Sequence, residues 1–172
     1  MFDAAVFLTI LLVASSLLLN LYDPSIQAED VRSFQYLSMY TKRLAHAAFS
    51  STVPNASYLD SYGEEVIRKD VSVQEMVVEE LLLMSSGVPE RNFVGPGRYN
   101  DRIEWVLSSL MNESNFNCTL RGELQGSKVY IIGSDNIQSK KVERASYHSE
   151  FILPEENLRV SIVLDVWREA PG

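Results

Sequence analysis

A cluster of three glutamates, the two histidines and the single cysteine are the first side chains in this sequence to test for chemistry. Glu75, Glu79 and Glu80 fall on one predicted helix, a grouping that general acid–base work could use. No second acidic cluster and no histidine is placed to pair with them, so they read as a solvated acidic face. His46 falls in an amphipathic helix and His148 on the polar face of a strand. Neither has a cysteine or a second histidine at metal-ligand spacing. His148 and Glu150 stand two apart on one strand face, which suits a surface ion pair better than a general base. Val94-Gly95-Pro96-Gly97 lacks the Lys-Ser/Thr of a phosphate loop and reads as a tight turn. No serine sits in a G-x-S-x-G setting. Trp105 and Trp167 read as half-buried core aromatics, with interface residues as the alternative. The sequence thus predicts no catalytic residue, no cofactor, no metal site and no small-molecule substrate, and the chain is not expected to be an enzyme.

Cys118 is the single cysteine, which excludes an intrachain disulfide framework and any multi-cysteine metal site. It reads as a small buried hydrophobe, with an intermolecular disulfide as the alternative. The formal net charge is −8. That argues against a nucleic-acid partner, which needs a basic footprint, and against a polybasic grip on anionic lipid. Three N-x-Ser/Thr sequons, at Asn55, Asn112 and Asn117, are candidate glycosylation sites. Their use would require the domain to face outward.

The elements that must position these residues begin with an apolar run, Phe2 to Tyr22. Ala4 to Tyr22 meets the length of a membrane-spanning helix, about 20 mostly apolar residues. Phe2, Ala4, Leu8, Leu11, Leu12, Leu18 and Leu21 are its predicted anchor residues, so membrane lipid is an expected partner. A cleaved signal is the rival reading. No Lys or Arg precedes the run, however, and the run continues past Ala14-Ser15-Ser16, the plausible small-residue site. Small residues let membrane helices approach closely, so Ala14 and Ser15 are candidates for helix association.

After Asp23-Pro24 helix resumes. Phe34, Leu37, Leu44 and Ala48 fall on one seam, with Thr41 between them. Phe34, Leu37 and Leu44 are therefore further association candidates. Val53-Pro54-Asn55 is expected to end this helix and open a loop through Tyr62-Gly63, followed by a short helical or extended piece, 64–69. Ser72-x-x-Glu75 is a capping box for a helix with Val73, Met76, Val77, Leu81 and Met84 on one face and Gly87 as its stop. Asn100 is expected to cap a helix over 101–111. From Phe116 the period becomes two, and four strands follow at about 119–124, 128–133, 140–153 and 157–168. Leu158, Val160, Ile162, Leu164 and Val166 share one face of the last strand, opposite Arg159, Ser161, Asp165 and Trp167.

The predicted fold is α+β: a long N-terminal membrane-spanning and amphipathic helix, two to three further helices, and a C-terminal four-stranded antiparallel sheet. Its parts are an anchor at 1–22, an amphipathic continuation at 23–52 and a head at 53–172 with the sheet at 116–168. This layout, in Phe2 to Tyr22, the Phe34 to Ala48 seam and the two final strands, resembles type IV pilin-like proteins, particularly envelope proteins of archaea. The resemblance implies an apolar half that anchors the subunit and can pack into a filament core, and an amphipathic half that packs on the sheet of the head. No short basic leader precedes the run, so a pilin-like protein that stays in the membrane fits better than a filament subunit. The expected function is a single-pass, membrane-anchored structural component of the cell envelope with an extracytoplasmic domain, associating with itself or with sister subunits. The alternative is a membrane-tethered module that recognises a ligand or envelope polymer. An exposed apolar seam on the first helix would favour the former, and a polar-rimmed aromatic pocket on the head the latter.

Overall fold

A computed structural model of the chain describes residues 24–111, 115–133, 142–153 and 158–169, with side chains from Val31 onward and not at 142 or 169. The predicted anchor, including Phe2, Ala4, Leu8, Leu11, Leu12, Leu18 and Leu21, lies outside the described residues. So do Ala14, Ser15, Asn112 and the 154–157 connection. Among the described residues, no helix is long and apolar enough to cross a membrane.

The chain divides into two compact units, Met1–Tyr36 and Leu37–Gly172. Helix α1, Pro24–Ser50, runs through that boundary. In the first unit its Val31, Phe34 and Tyr36 are all more than half exposed. In the second, Leu37, Thr41, Leu44, Ala45 and Ala48 are buried. The predicted seam is thus divided: Phe34 is open, while Leu37 and Leu44 are taken up by the core of the head. Thr41 sits on the apolar stripe without penalty, because its hydroxyl donates to the Leu37 carbonyl at 2.8 Å. Serines close the helix in the same way. Ser50 Oγ donates to His46 O and Ser51 Oγ to Ala47 O, each at 2.7 Å, satisfying carbonyls that the last turn leaves open.

The expected loop after the helix is instead a hairpin. Strand β1, Thr52–Leu59, pairs antiparallel with β2, Glu65–Ser72. Pro54 disguises β1 in the sequence. The register pairs Val53 with Val71 and Asn55 with Lys69, and leaves Pro54 opposite Asp70 without a ladder bond. Proline has no N–H to give a ladder and is tolerated at such gaps. Asp70 meets the gap at φ 51°, in the left-handed region. At the turn, Asp60 Oδ1 accepts from the Tyr62 and Glu64 N–H groups at 2.8 and 2.9 Å, an aspartate side chain standing in for a backbone turn.

Ser72 ends β2 and caps helix α2, Val73–Ser85. The capping box forms as expected. Glu75 N–H donates to Ser72 Oγ at 3.2 Å and Ser72 N–H to Glu75 Oε2 at 2.8 Å, and these bonds hold the Glu75 carboxyl below its usual range. A 3₁₀ turn at Glu90–Asn92 and helix α3, Tyr99–Leu110, follow. Asn92 Nδ2 ties this turn to the end of β1 through the Leu59 and Asp60 carbonyls, at 3.1 and 2.9 Å. Asn100 is not the cap of α3. The helix starts one residue before it, and Asn100 is turned inward and buried.

The C-terminal sheet has four antiparallel strands in the order β4-β3-β6-β5: β3 Asn117–Leu124, β4 Ser127–Ile132, β5 Val142–Leu153 and β6 Leu158–Glu169. Gln125 and Gly126, at φ 52° and 83°, make the two-residue turn that suits the right-handed twist of a hairpin. Cross-strand rows Cys118–Val166–Ala145, Leu120–Leu164–Tyr147 and Leu124–Val160–Phe151 form the inner face. α2 packs so closely there that a Cβ at Gly122 would collide with Leu81. α1 reaches the same face through His46 and Phe49, whose rings lie 5.3 and 6.1 Å from that of Tyr147.

Candidate functional site

The acidic face predicted on α2 is only partly solvated: Glu75 is exposed, Glu79 half-buried and Glu80 buried. Its three glutamates have three separate environments. Glu75 is in the capping box. Glu79 accepts from Tyr99 Oη at 2.7 Å and Tyr58 Oη at 3.4 Å, and pairs with Arg68 Nε at 3.2 Å. Tyr58, Phe93 and Tyr99 form an aromatic group behind it, with ring centroids 5.2–6.1 Å apart. Burial, with Glu79 adding to it, pushes both phenols above their usual range, so they remain donors to the carboxylate. This arrangement fixes β1, β2, α2 and α3 together through one carboxylate.

Glu80 is fully buried. With the Asn100 amide oriented nitrogen-first, Nδ2 lies 3.2 and 2.9 Å from the two carboxyl oxygens. Burial pushes the acid up to about 8, the Asn100 bond opposing and Glu90 adding to the rise. Glu80 is therefore held mainly as the neutral acid at pH 7. The signal was available in the sequence. Val73, Met76, Val77, Glu80, Leu81 and Met84 follow i, i+3, i+4, i+7, i+8, i+11, so Glu80 occupies the apolar stripe itself.

A second fully buried carboxylate, Asp165, lies on the outer face of the sheet, which the sequence reading assigned to solvent. Arg144 Nη2 meets its Oδ2 at 2.5 Å, Arg121 Nη1 meets Oδ2 at 3.3 Å, and Ser146 Oγ donates to Oδ1. Burial raises this acid, but Arg144, Ser146 and Arg121 together outweigh it and hold Asp165 below the usual carboxylate range. The predicted His148–Glu150 pairing gives way to Glu150–Arg159, at 3.8 Å across the hairpin. Cys118 is half-buried, and its thiol is pushed up to about 11 by burial with Glu104 adding, so it has little thiolate at neutral pH. Among the described residues, no group of three or more His, Cys, Asp or Glu side chains could hold a metal ion.

Trp105 departs from the expectation of a half-buried aromatic, being 62% exposed on α3, whereas Trp167 is half-buried. Trp105 lines a groove of about 330 Å³ together with Val53, Pro54, Asn55 and Arg102. Arg102 Nε is buried there without a hydrogen-bond partner among the described residues. Trp167 lines a second groove, of about 410 Å³, with Asn117, Phe116 and Leu107, and Asn117 is its direct cross-strand neighbour. Asn55 and Asn117 are both exposed, whereas the hydroxyl-bearing third residues of their sequons, Ser57 and Thr119, are 7% and 2% exposed. The structure thus places each described sequon asparagine beside a tryptophan, a pairing invisible in the sequence because 50 residues separate the partners in each case. Of the association candidates, Phe34 is exposed while Leu37 and Leu44 are interior. In comparisons with known proteins, the chain matches no family model, no curated protein and no solved structure.

Proposed function

We propose that the chain is a single-pass, membrane-anchored, pilin-like structural component of the cell envelope, with its head outside the membrane, that associates with itself or with sister subunits through its N-terminal helix. One observation supports this reading above the others. The stripe that buries Leu37, Thr41, Leu44 and Ala48 in the head continues one turn back to Phe34, which is 55% exposed. A helix whose apolar stripe outruns its own domain has surface for another helix. α1 begins at Pro24, directly after the apolar run, so the predicted tether and the spine of the head belong to consecutive sequence.

Cysteine cross-linking in the native membrane tests the association. Phe34→Cys should give a disulfide-linked species on mild oxidation, while Arg32→Cys, displaced from the stripe, should give less. Half-burial and the high pKa of Cys118 keep the native thiol from competing. An absence of linked species from Phe34→Cys would remove the association reading. Replacing Ala14 and Ser15 by leucine should also lower the yield, because bulky residues hold membrane helices apart. Intact mass with N-terminal sequencing would separate a retained anchor from a cleaved segment.

A further inference from the structure

The chain has two tryptophans, and each shares a groove with a sequon asparagine. We propose that Asn55 and Asn117 are N-glycosylated and that Trp105 and Trp167 are the platforms on which the attached sugars rest. The inference rests on the reading that the head lies outside the membrane.

Both halves of each pair have the needed chemistry. Asn55 and Asn117 are exposed, so their amide nitrogens can bear a saccharide without disturbing the core. An indole presents a broad apolar face with an N–H at its edge, which suits the apolar C–H face and hydroxyl rim of a pyranose. Trp105 is 62% exposed on a helix that buries Tyr99, Ile103, Val106 and Leu107 and leaves Leu110 at 42%. An indole left in water keeps a large apolar face available to a covering group.

The grooves also have the right size. At about 330 and 410 Å³ they lie at the small end of ligand sites, roughly 300–1,000 Å³. A free sugar would bind weakly in so open a groove. A sugar tethered to the wall of the groove needs little affinity, because attachment sets a high effective concentration. Asn117 and Trp167 face each other across β3 and β6, on the same side of the sheet, which fixes their separation by strand geometry. Asn55 and Trp105 are brought together where α3 crosses β1, beside the Ser57–Arg98 bridge.

The test uses the full chain isolated from the membranes of the cells that make it. Peptides containing Asn55 and Asn117 are mapped by mass, and tryptophan quenching by acrylamide is compared among the native chain, Asn55→Gln and Asn117→Gln. Both asparagines are exposed, so neither variant threatens folding. The expected result is saccharide mass on both peptides, loss of that mass from the corresponding peptide in each variant, and greater quenching in each variant. Trp105→Phe read against Trp167→Phe assigns the two signals. Saccharide mass with unchanged quenching would overturn the proposal, since the sugars would not rest on the indoles. Protease added to intact cells separates the remaining cases. Unmodified asparagines on a head that the protease reaches overturn the proposal and leave the topology standing, whereas unmodified asparagines on a protected head overturn both.

Discussion

Glu80 and Asp165 are both carboxylates with no exposed surface, and the protein accommodates them in opposite ways. Glu80, between α2 and α3, has one neutral amide for a partner and keeps its proton. Asp165, at the centre of the sheet, has two guanidiniums and a hydroxyl and stays charged. The difference follows from what each element can supply. Strands beside β6 offer side chains at fixed lateral spacing, so Thr119, Asp165 and Ser146 form one row, with Arg121 and Arg144 on the rows either side. The helix interface offers only what α3 happens to present, and it presents Asn100. A buried acid without a cation is neutralised by protonation, and one between cations is not.

The largest effect expected from breaking this contrast is at Glu80. A folded-state pKa raised from 4.5 to about 8 means a contribution to stability that is complete below about pH 4.5 and lost as pH rises to about 8. Glu80→Gln mimics the protonated acid. It should flatten this slope and, above pH 8, raise the stability of the detergent-solubilised chain by about 5 kcal/mol, at about 1.4 kcal/mol per pH unit. Urea denaturation at pH 5 and pH 8.5 checks it, and an equal response of both proteins to pH would show that Glu80 is charged inside the fold.

Arg144→Ala comes next. It leaves Asp165 buried with Arg121 alone, and a loss of about 2 kcal/mol is expected, less than the roughly 3–5 kcal/mol of a fully buried pair because Arg144 is itself partly exposed. The lowered pKa of Asp165 gives the opposite pH trend to that of Glu80. Its contribution is present above about 3.8, the ordinary aspartate value, and is lost as pH falls through the lower folded value. Native stability should therefore peak near pH 4–5, and Arg144→Ala should blunt the acid limb only. Glu75 sharpens the comparison from the exposed side of the same helix. Ser72→Ala removes one half of the capping box and should lower stability by about 1 kcal/mol, with little change between pH 5 and 8.5.

The sequence made some of this legible and hid the rest for identifiable reasons. Ser72 and Glu75 are three residues apart and need nothing else, so the cap of α2 could be read directly. The alternation from Leu158 to Val166 likewise needs only one buried face, and those positions are buried or half-buried. Strand β1 was hidden by Pro54, whose missing ladder bond matters only once Asp70 is known to lie opposite. Asn100 has the right type for a cap, but Asp101 and Arg98 engage the turn instead. Asp101 Oδ2 accepts from the Gly97 N–H at 2.8 Å, and Arg98 Nη1 donates to the Val94 carbonyl at 2.8 Å. Glu80 was legible by its place on the stripe and was misassigned by its charge. The environment of Asp165 was not legible, because Arg121 and Arg144 reach it only through a strand order that places β6 between β3 and β5.

The buried hydroxyls of Ser57 and Thr119 set an order of events. Reading a sequon requires its hydroxyl as well as its asparagine. In the folded head Ser57 is held beside Gly97, its N–H donating to that carbonyl at 3.2 Å, and Thr119 is packed under Gly133. An enzyme that reads these sequons must therefore meet the chain before the head closes. Where these sequons are used, folding acts as a timer on modification, and variants that fold more slowly should carry more saccharide in the membrane than the native chain.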